Sequence, residues 1–469
     1  MIAQTVARPV LTEQDEVSQP NNRRALFVIC FGFFLVLLDT TALNVAVPDL
    51  GREFGQGLSS LQWVVNSYTL VFASLLLAGG ALGDRIGSGT VYQLGLALFG
   101  LSSLASALAP SLPTLIGARV AQGLGAALML PASLALLSQI FPDLEQRSHA
   151  VSVWANTVSI GFAAGPSLGG ILTSALGWRS IFWLNVPVAL VAVWLNHRLI
   201  PNRKVGETRP IDWSGQISLG LALLALTDGF IQAGRVGWLD PSVLLAFGAS
   251  GVLVGCFLYF ERRSSWPVLP GFLFKQRLFS YCLGVGFALN FGMYGILFVE
   301  SIYLQNVTEL SPWLTGLVIT PFTLFPTFAS RALSRRNGPR YLRIRLVSGV
   351  AVAAVGSIFL VLGTGPSGMW AVLAGLSVLG IGMGIIMPAM TAGVLISSPQ
   401  ENSGLASGAL NSVRQMGGTV GVALLGTLLQ PTTGFSGVNI ALGLTVLLFL
   451  ATAAAVRRGL RGPGVIPGL

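Results

Sequence analysis

The chain has 469 residues, of which 53% are apolar and only 9% are charged, and its formal net charge is +10. A water-soluble domain carries about 25% charged residues, so this composition, with a mean hydropathy of +0.75, excludes the soluble classes. The sequence predicts an integral membrane protein, and its basic excess gives no reason to expect nucleic acid as a partner.

Apolar stretches follow one another from residue 25 to residue 456, separated by charged residues and by Pro or Gly clusters. A helix needs about 20 residues to cross a bilayer, and the stretches lack the alternation of β-barrel strands. We therefore predict an all-α protein with fourteen transmembrane helices. The spans are 25–46, 61–81, 91–109, 112–138, 150–174, 180–199, 214–232, 242–260, 279–303, 313–331, 345–364, 370–396, 404–429 and 438–456.

The basic residues test this count, because short cytoplasmic loops of membrane proteins collect Lys and Arg. With the N-terminus inside, the inward segments hold 22 of the 27 Lys and Arg residues, the outward loops hold 3 and the spans hold 2. One helix more or fewer would invert every later loop. We expect a multi-pass protein of the cell membrane with both termini in the cytoplasm.

Two segments of the first half recur in the second, as is common in transporters. Residues 123–132 match 380–389 at an offset of 257, and residues 81–87 match 332–338 at an offset of 251. The repeat predicts five regions. They are a disordered cytoplasmic tail (1–24), an N-terminal six-helix bundle (25–199), a linker with two inserted transmembrane helices (200–278), a C-terminal six-helix bundle (279–456) and a cytoplasmic tail (457–469).

The two copies differ at charged positions. Arg119 in the fourth span corresponds to Leu376 in the twelfth, and Asp84 in the second-to-third loop corresponds to Arg335. If these positions served only the packing of helices, an apolar residue would be sufficient at each of them. The charged first-half copy is therefore the better candidate for function.

Four first-half segments carry motifs. They are 38–48 around Asp39, 80–87 with Asp84 and Arg85, 119–125 with Arg119 and Gln122, and 161–170 with Gly161, Gly165, Pro166, Gly169 and Gly170. These segments resemble the major facilitator superfamily, specifically its fourteen-helix drug:proton antiporter branch, and within it the antibiotic exporters of actinomycetes. The resemblance implies two six-helix bundles with two inserted central helices. It also implies a proton-coupled antiporter that exports small amphipathic drugs or antibiotics.

Asp39 and Arg119 are charges placed at similar depths within predicted spans, where a charge is costly and usually marks an ion or substrate path. We expect the two side chains to approach each other, directly or through water. A conformational change that alters their burial or separation would bind or release a proton. The alternative is a fixed ion pair that braces the bundle. Glu300, near the outer end of the ninth span, is a further candidate for proton coupling or cation binding.

Gly161, Gly165 and Gly169 recur every four residues and form one helical stripe against which another helix can pack closely. Pro166 removes a backbone hydrogen bond beside them. The resemblance implies a pivot between inward-open and outward-open states that also limits proton leak. Close packing alone is the alternative. Asp84 and Arg85 are expected to latch the two bundles, or else to form a plain solvated turn.

Polar and aromatic residues within other spans are candidates for lining a substrate cavity. They are Asn44, Asn66, Tyr68, Gln122, Asn290, Tyr294 and Arg414. Each could equally stabilise a contact between helices. Arg414 could bind an anionic group or a backbone carbonyl, and the sequence does not distinguish these.

The sequence predicts neither an enzyme nor an ATP-driven pump. Gly165 to Gly169 fits G-x-S-x-G without the strand that a nucleophile elbow requires, and no Walker loop is present. We expect no cofactor and no metal. The expected partners are a small-molecule substrate, protons and the lipid bilayer, with the protein a monomer. A proton symporter or uniporter for a metabolite is the alternative transporter, and an integral-membrane enzyme or receptor is the alternative from another class.

Overall fold

A computed structural model describes residues 13–200, 212–264, 271–333, 339–364, 368–399, 402–429 and 434–461. Within these ranges every regular element is helical, and fourteen helices have 20 or more residues. The helices are α1 (Glu13–Phe54), α2 (Leu58–Ile86), α3 (Ser88–Ala107), α4 (Leu112–Ile140), α5 (Leu144–Leu176), α6 (Arg179–Leu199), α7 (Trp213–Val236), α8 (Pro241–Arg263), α9 (Gly271–Phe274), α10 (Arg277–Asn306), α11 (Pro312–Leu333), α12 (Pro339–Gly363), α13 (Gly368–Ile396), α14 (Ser403–Thr427) and α15 (Gly434–Gly459).

Thirteen of the described helices are long and apolar enough to cross a membrane. The fourteenth long helix is α14, which carries the polar residues Asn411, Arg414 and Gln415 and packs between α10 and α2. Asn290 of α10 forms hydrogen bonds with Arg414 and Gln415 in this polar part. The prediction of an all-α integral membrane protein is confirmed.

The start of the chain differs from the prediction. Helix α1 begins at Glu13, so residues 13–24, which we assigned to a disordered tail, are helical, and the apolar segment begins at Asn22. Extending an existing helix costs less than starting a new one, which accounts for the longer helix. The sequence analysis does not predict the four-residue helix α9, because four residues are too few to show a helical period of apolar side chains. Residues 1–12, 201–211 and 462–469 of the predicted tails and linker lie outside the described ranges.

Aspartate side chains cap the N-termini of three helices, α5, α7 and α8. Asp143 accepts a hydrogen bond from the backbone N–H of Gln146, and Asp212 accepts one from Gly215, each at 2.9 Å. Asp240 does the same for α8 through the N–H of Ser242 at 2.9 Å. Such a cap stabilises a helix by about 1 kcal/mol. These caps fix where α5, α7 and α8 start.

Helix pairs that pack in the first half recur in the second. In α1–α6, the N-half, α1 packs on α5, α2 and α3 pack on α4, and α3 packs on α6. In α10–α15, the C-half, α10 packs on α14, α11 and α12 pack on α13, and α12 packs on α15. The inserted helices α7 and α8 pair with each other, and α7 also contacts both halves through α2 and α14.

The halves meet along three helix pairs, which are α5 with α11, α2 with α14 and α1 with α10. Because the connections are short, successive long helices run in opposite directions. We call the end that holds Arg85, Arg147 and Arg457 the Arg-rich end, and the end that holds Arg52 and Arg179 the opposite end. The central helices α1 and α10 are the most buried, which places Asp39 deep inside the N-half.

Candidate functional site

The glycine stripe of α5 sets the position of α1. A Cβ atom on Gly161 would lie 2.7 Å from the carbonyl oxygen of Phe34, and one on Gly169 would lie 2.6 Å from that of Ala42. A Cβ on Gly165 would clash with Thr41. Only glycine permits this approach of the two backbones. The contact spans the helical turns on either side of Asp39.

Asp39 lies at the centre of a buried polar network. Its Oδ2 accepts from Nη1 of Arg119 at 2.5 Å, in an ion pair whose side chains are 0% and 1% exposed. Its Oδ1 accepts from Nε2 of Gln122 at 3.0 Å and from Nδ2 of Asn185 at 2.9 Å. Helices α1, α4 and α6 thus converge on one carboxylate, and both of its oxygens are paired.

Arg119 has acceptors other than Asp39. Its Nε donates to the carbonyl oxygen of Val64 at 3.2 Å, and Nη1 also donates to Oε1 of Gln122 at 2.7 Å. The guanidinium lies 4.3 Å from the ring centroid of Tyr68, in a cation–π contact. The arginine would therefore keep partners if Asp39 became neutral.

Sequence reasoning missed two members of this network. Asn185 of α6 donates to Asp39, and the hydroxyl of Ser103 on α3 accepts from Gln122 at 2.9 Å. In the sequence, each of these residues appears as a polar residue within an apolar span, and this was the signal that could have identified it. That signal is shared by many serines and asparagines of this chain, and only the packing shows which ones face the carboxylate.

Two asparagines predicted for the cavity are buried. Asn44 donates from Nδ2 to the carbonyl of Thr40 at 2.9 Å, while its Oδ1 has no hydrogen-bond partner among the described residues. Both side-chain polar atoms of Asn66 lack a partner in the same ranges. Buried amides without partners are rare.

The predicted C-half residues form a separate cluster. Nε of Arg414 donates to Oδ1 of Asn290 at 3.2 Å, and Nη1 donates to Oδ1 of Asn411 at 3.3 Å. The ring of Tyr294 packs against Gly418. Arg414 thus binds side-chain amides in the structure, where the sequence left an anion or a backbone carbonyl open.

Glu300 is not part of the Asp39 network. It lies in the last third of α10, is 1% exposed, and neither carboxylate oxygen has a hydrogen-bond partner among the described residues. A buried carboxylate without a partner either takes up a proton or binds a cation.

Among the described residues, the C-half has no counterpart of the ion pair. The glycine contacts of α5 with α1 recur between α14 and α10, and the matched pairs are Gly161 with Phe34, Gly165 with Leu38, Gly417 with Phe287 and Gly421 with Phe291. This register puts Gly292 at the position of Asp39, with the ring of Phe449 beside it. The sequence repeat puts Leu376 and Leu379 at the positions of Arg119 and Gln122. The C-half core is therefore apolar where the N-half core is charged.

The other predicted motif residues lie at helix ends and between the halves. Asp84 is exposed and Arg85 half-buried at the Arg-rich end of α2. A Cβ on Gly170 would lie 3.0 Å from the Cα of Trp313 on α11. The carbonyl of Pro166 packs against Gly316 of α11. The α5 motif therefore contacts α1 on one face and the C-half on the other.

A sequence model described as Major Facilitator Superfamily matches residues 29–422. The chain is 35% identical over 421 residues to the methylenomycin A resistance protein of Streptomyces coelicolor, covering 89% of this chain and 88% of that protein. It is 35% identical over 418 residues to the methylenomycin A resistance protein of Bacillus subtilis, covering 89% and 90%. It is 34% identical over 398 residues to the multidrug resistance protein Stp of Mycobacterium tuberculosis, covering 85% and 74%.

Among solved structures, the chain resembles a crystal structure of the peptide transporter POT in complex with sulfate. The TM-score is 0.68 at 16% sequence identity, and the match covers 94% of this chain and 96% of that chain. At this identity the likeness shows the fold alone.

Proposed function

Because the chain belongs to the Major Facilitator Superfamily, we propose that it exports small amphipathic drugs or antibiotics in exchange for protons that bind at Asp39. The expected fold of two six-helix bundles with two inserted helices is confirmed by the family match and by the repeated helix packing. The chain is a membrane transporter and not an enzyme. Its relatives, named for antibiotic and multidrug resistance, support a role in drug export.

The observation that carries the proton coupling is the Asp39–Arg119 pair. A charged Asp39 is held by the guanidinium and by two amide donors. When a proton neutralises the carboxylate, Arg119 retains Gln122 and the carbonyl of Val64 as acceptors. Protonation therefore releases α1 from α4 without leaving the arginine unpaired, which is what a reversible proton site requires.

The two faces of α5 connect this site to the rest of the molecule. One face packs against α1 around Asp39, and the other packs against α11 of the C-half. A rotation of the halves about the α5–α11 contact would act on the Asp39–Arg119 pair through α1, which packs on α5 and also contacts α10 of the C-half. We assign the stripe of Gly161, Gly165 and Gly169 the role of a pivot, and Asp84 with Arg85 the role of a latch at the Arg-rich end.

The remaining predicted residues serve the substrate in this proposal. The Oδ1 atom of Asn44 and the side-chain amide of Asn66 bind polar groups of the drug, and Tyr68 and Gln122 link that binding to the ion pair. The Arg414 cluster, with Asn290 and Tyr294, provides the C-half contacts. Glu300 is proposed as a second protonatable group.

The proposal places the protein in the cell membrane as a monomer with both termini in the cytoplasm. The Arg-rich end would then face the cytoplasm. A fluorescent protein fused to the C-terminus would fluoresce only in this orientation, and light scattering of the purified protein would give a monomer mass. If the intact fusion protein is present in the cells but does not fluoresce, the proposed cytoplasmic location of the C-terminus is contradicted.

Everted vesicles test the coupling through Asp39→Asn. With a proton gradient imposed, adding substrate collapses the gradient in the wild type, and we expect at least a tenfold smaller collapse in the variant. Asp39→Glu, which keeps a titratable group, should retain part of the exchange. Glu300→Gln shows separately whether a second acid contributes. Drug-susceptibility measurements in a pump-deficient host should follow the same order.

A double variant separates coupling from a purely structural ion pair. Asp39→Asn alone removes the counter-ion of a buried arginine, which keeps Gln122 and the carbonyl of Val64 as acceptors. Asp39→Asn combined with Arg119→Gln removes both charges. A bracing pair predicts that the folded double variant exports drug with proton exchange, and that result would refute the coupling role. Coupling predicts a folded protein without exchange.

A further inference from the structure

The outer face of the C-half carries an open groove between α12 and α15. Near the Arg-rich end the groove has a volume of about 460 Å³, and small or branched apolar side chains, Val347, Ala351 and Ala454, form part of its wall. A second cavity of about 540 Å³ lies between the same two helices towards the opposite end and is lined by side chains such as Val361 and Leu447. The two cavities are separate, and the exposed apolar side chains of Val355 and Leu450 lie between them along the two helices. We call this outer face of α12 and α15 the apolar track.

Arginines line the track where it reaches the Arg-rich end. Arg457 and Arg458, in the last turn of α15, and Arg461 just beyond it all line the 460 Å³ cavity. Arg343 of α12 donates from Nη2 to the carbonyl oxygen of Arg457 at 3.3 Å, which ties the two helices together beneath the cavity. The track therefore ends in a concentration of positive charge at the membrane–water boundary.

Acidic side chains that could neutralise this charge are scarce in the C-half. From residue 271 to the end of the chain the sequence contains three acids, Glu300, Glu309 and Glu401. The first two lie towards the opposite end, and Glu401 lies outside the described residues. Among the described C-half residues, no carboxylate lies at the Arg-rich end. Within the part of the C-half that the structure describes, these arginines therefore have no carboxylate beside them.

The N-half counterpart of this helix pair is built differently. There α3 packs on α6, as α12 packs on α15. Near the Arg-rich end Nδ2 of Asn196 donates to the carbonyl oxygen of Gly89 at 3.3 Å and to Oε1 of Gln93 at 3.2 Å. These bonds close the space between the helices. The C-half pair instead leaves the space open and lines it with alanines and arginines.

We propose that the α12–α15 groove binds one anionic phospholipid, with an acyl chain along the apolar track and the phosphate at Arg457, Arg458 and Arg461. A soluble anion would gain nothing from the apolar track, and a zwitterionic lipid would gain little from three guanidinium groups. Basic pockets between transmembrane helices suit anionic headgroups for this reason. The site is independent of Asp39 and of the exchange proposed above.

Native mass spectrometry of the full-length protein in detergent tests the site. The probes are phosphatidylglycerol, phosphatidylcholine with the same acyl chains, and inorganic phosphate. We expect phosphatidylglycerol to bind at least tenfold more tightly than phosphatidylcholine, and phosphate not to displace it. Equal binding of the two lipids, or displacement by phosphate, would overturn the proposal.

Two variants locate the binding. Changing all three groove arginines, Arg457, Arg458 and Arg461, to Gln should abolish the lipid preference. A matched control that changes Arg198, Arg262 and Arg263 to Gln at the same end of the molecule should keep it. If the control variant loses the lipid preference to the same extent, the preference reflects the general surface charge of the protein, and the proposed site is refuted.

Ala454→Phe tests the shape of the groove without changing its charge. Ala454 is exposed within the groove, so the added ring fills the track without disturbing the core. We expect the phosphatidylglycerol adduct to be lost although every arginine remains. Unchanged binding in this folded variant would sink the proposal, even if the arginine variant failed to fold.

Discussion

At the scale of single residues, Asp39 combines a charge with near-complete burial. Both of its oxygens are paired, and its three donors come from α4 and α6. A carboxylate so placed is tolerated in a membrane helix only because these donors replace water. Each donor therefore contributes both to stability and to the balance between the charged and the neutral form.

The chain offers a matched pair of buried asparagines on α6 to separate these contributions. Asn185 donates to Asp39, whereas Asn196 donates to Gly89 and Gln93 of α3. We expect Asn185→Leu and Asn196→Leu each to destabilise the protein by about 1–3 kcal/mol, measured by thermal unfolding in detergent. Only Asn185→Leu should change the pH dependence of drug-driven proton exchange. Equal pH profiles in the two variants would leave Asn185 with a purely structural role.

At the scale of elements, α5 decides how the site is held. Its glycines contact the backbone of α1, and the face with Gly170 and Pro166 contacts α11. The C-half repeats the first contact with α14 and α10, but there the nearby charge is Arg414 of α14, which pairs with Asn290 rather than with a carboxylate. Close glycine packing is thus a property of the repeated scaffold. What is particular to the N-half is that the packed helix also carries Asp39.

Adding one methyl group at Gly165 tests the contact between α5 and α1. A Cβ on Gly165 would overlap Thr41, while one on Gly248 of α8 meets no atom within 4 Å. We expect Gly165→Ala to lower stability by about 1–3 kcal/mol through overpacking and to reduce export several-fold in a vesicle assay. Gly248→Ala serves as the control and should behave as wild type. Normal export by Gly165→Ala would show that α1 and α5 need not pack this closely.

At the scale of the whole molecule, side-chain amides tie the two halves together at the opposite end. Nε2 of Gln62 donates to the carbonyl oxygens of Val422 and Ala423, each at 2.8 Å. Gln305 of α10 donates to the carbonyl of Val45 on α1 at 2.8 Å. These bonds cross from one half to the other, so they stabilise the state in which this end is closed.

Removing one of these ties should open that end. In Gln62→Leu the carbonyls of α14 lose their donor, and we expect a larger population of the state with the opposite end apart. Spin labels on Q56C and L429C, near the facing ends of α2 and α14, should report longer distances by electron paramagnetic resonance. Gln139→Leu breaks a bond to Ser88 within the N-half and is the control. Identical distance distributions in the two variants would argue against the tie.

The membrane class, the number of long helices and the internal repeat could all be predicted from the amino-acid sequence. These properties depend on the lengths of the apolar segments and on the positions of charged residues along the chain, and both can be read directly from the sequence. The depth of Asp39 and Arg119 also followed from counting residues along their spans. The structure shows the two side chains in direct contact.

Which polar residues share the site became clear from the packing of the helices. Ser103 and Asn185 face Asp39 or its partner, while Glu300 and Arg414 lie elsewhere, because the rotation of each helix is fixed by its neighbours. Helix propagation extended α1 back to Glu13, and the packing of α12 on α15 left the groove between them. Within an apolar span every face is similarly hydrophobic, so the sequence carries little information about which face a neighbouring helix covers.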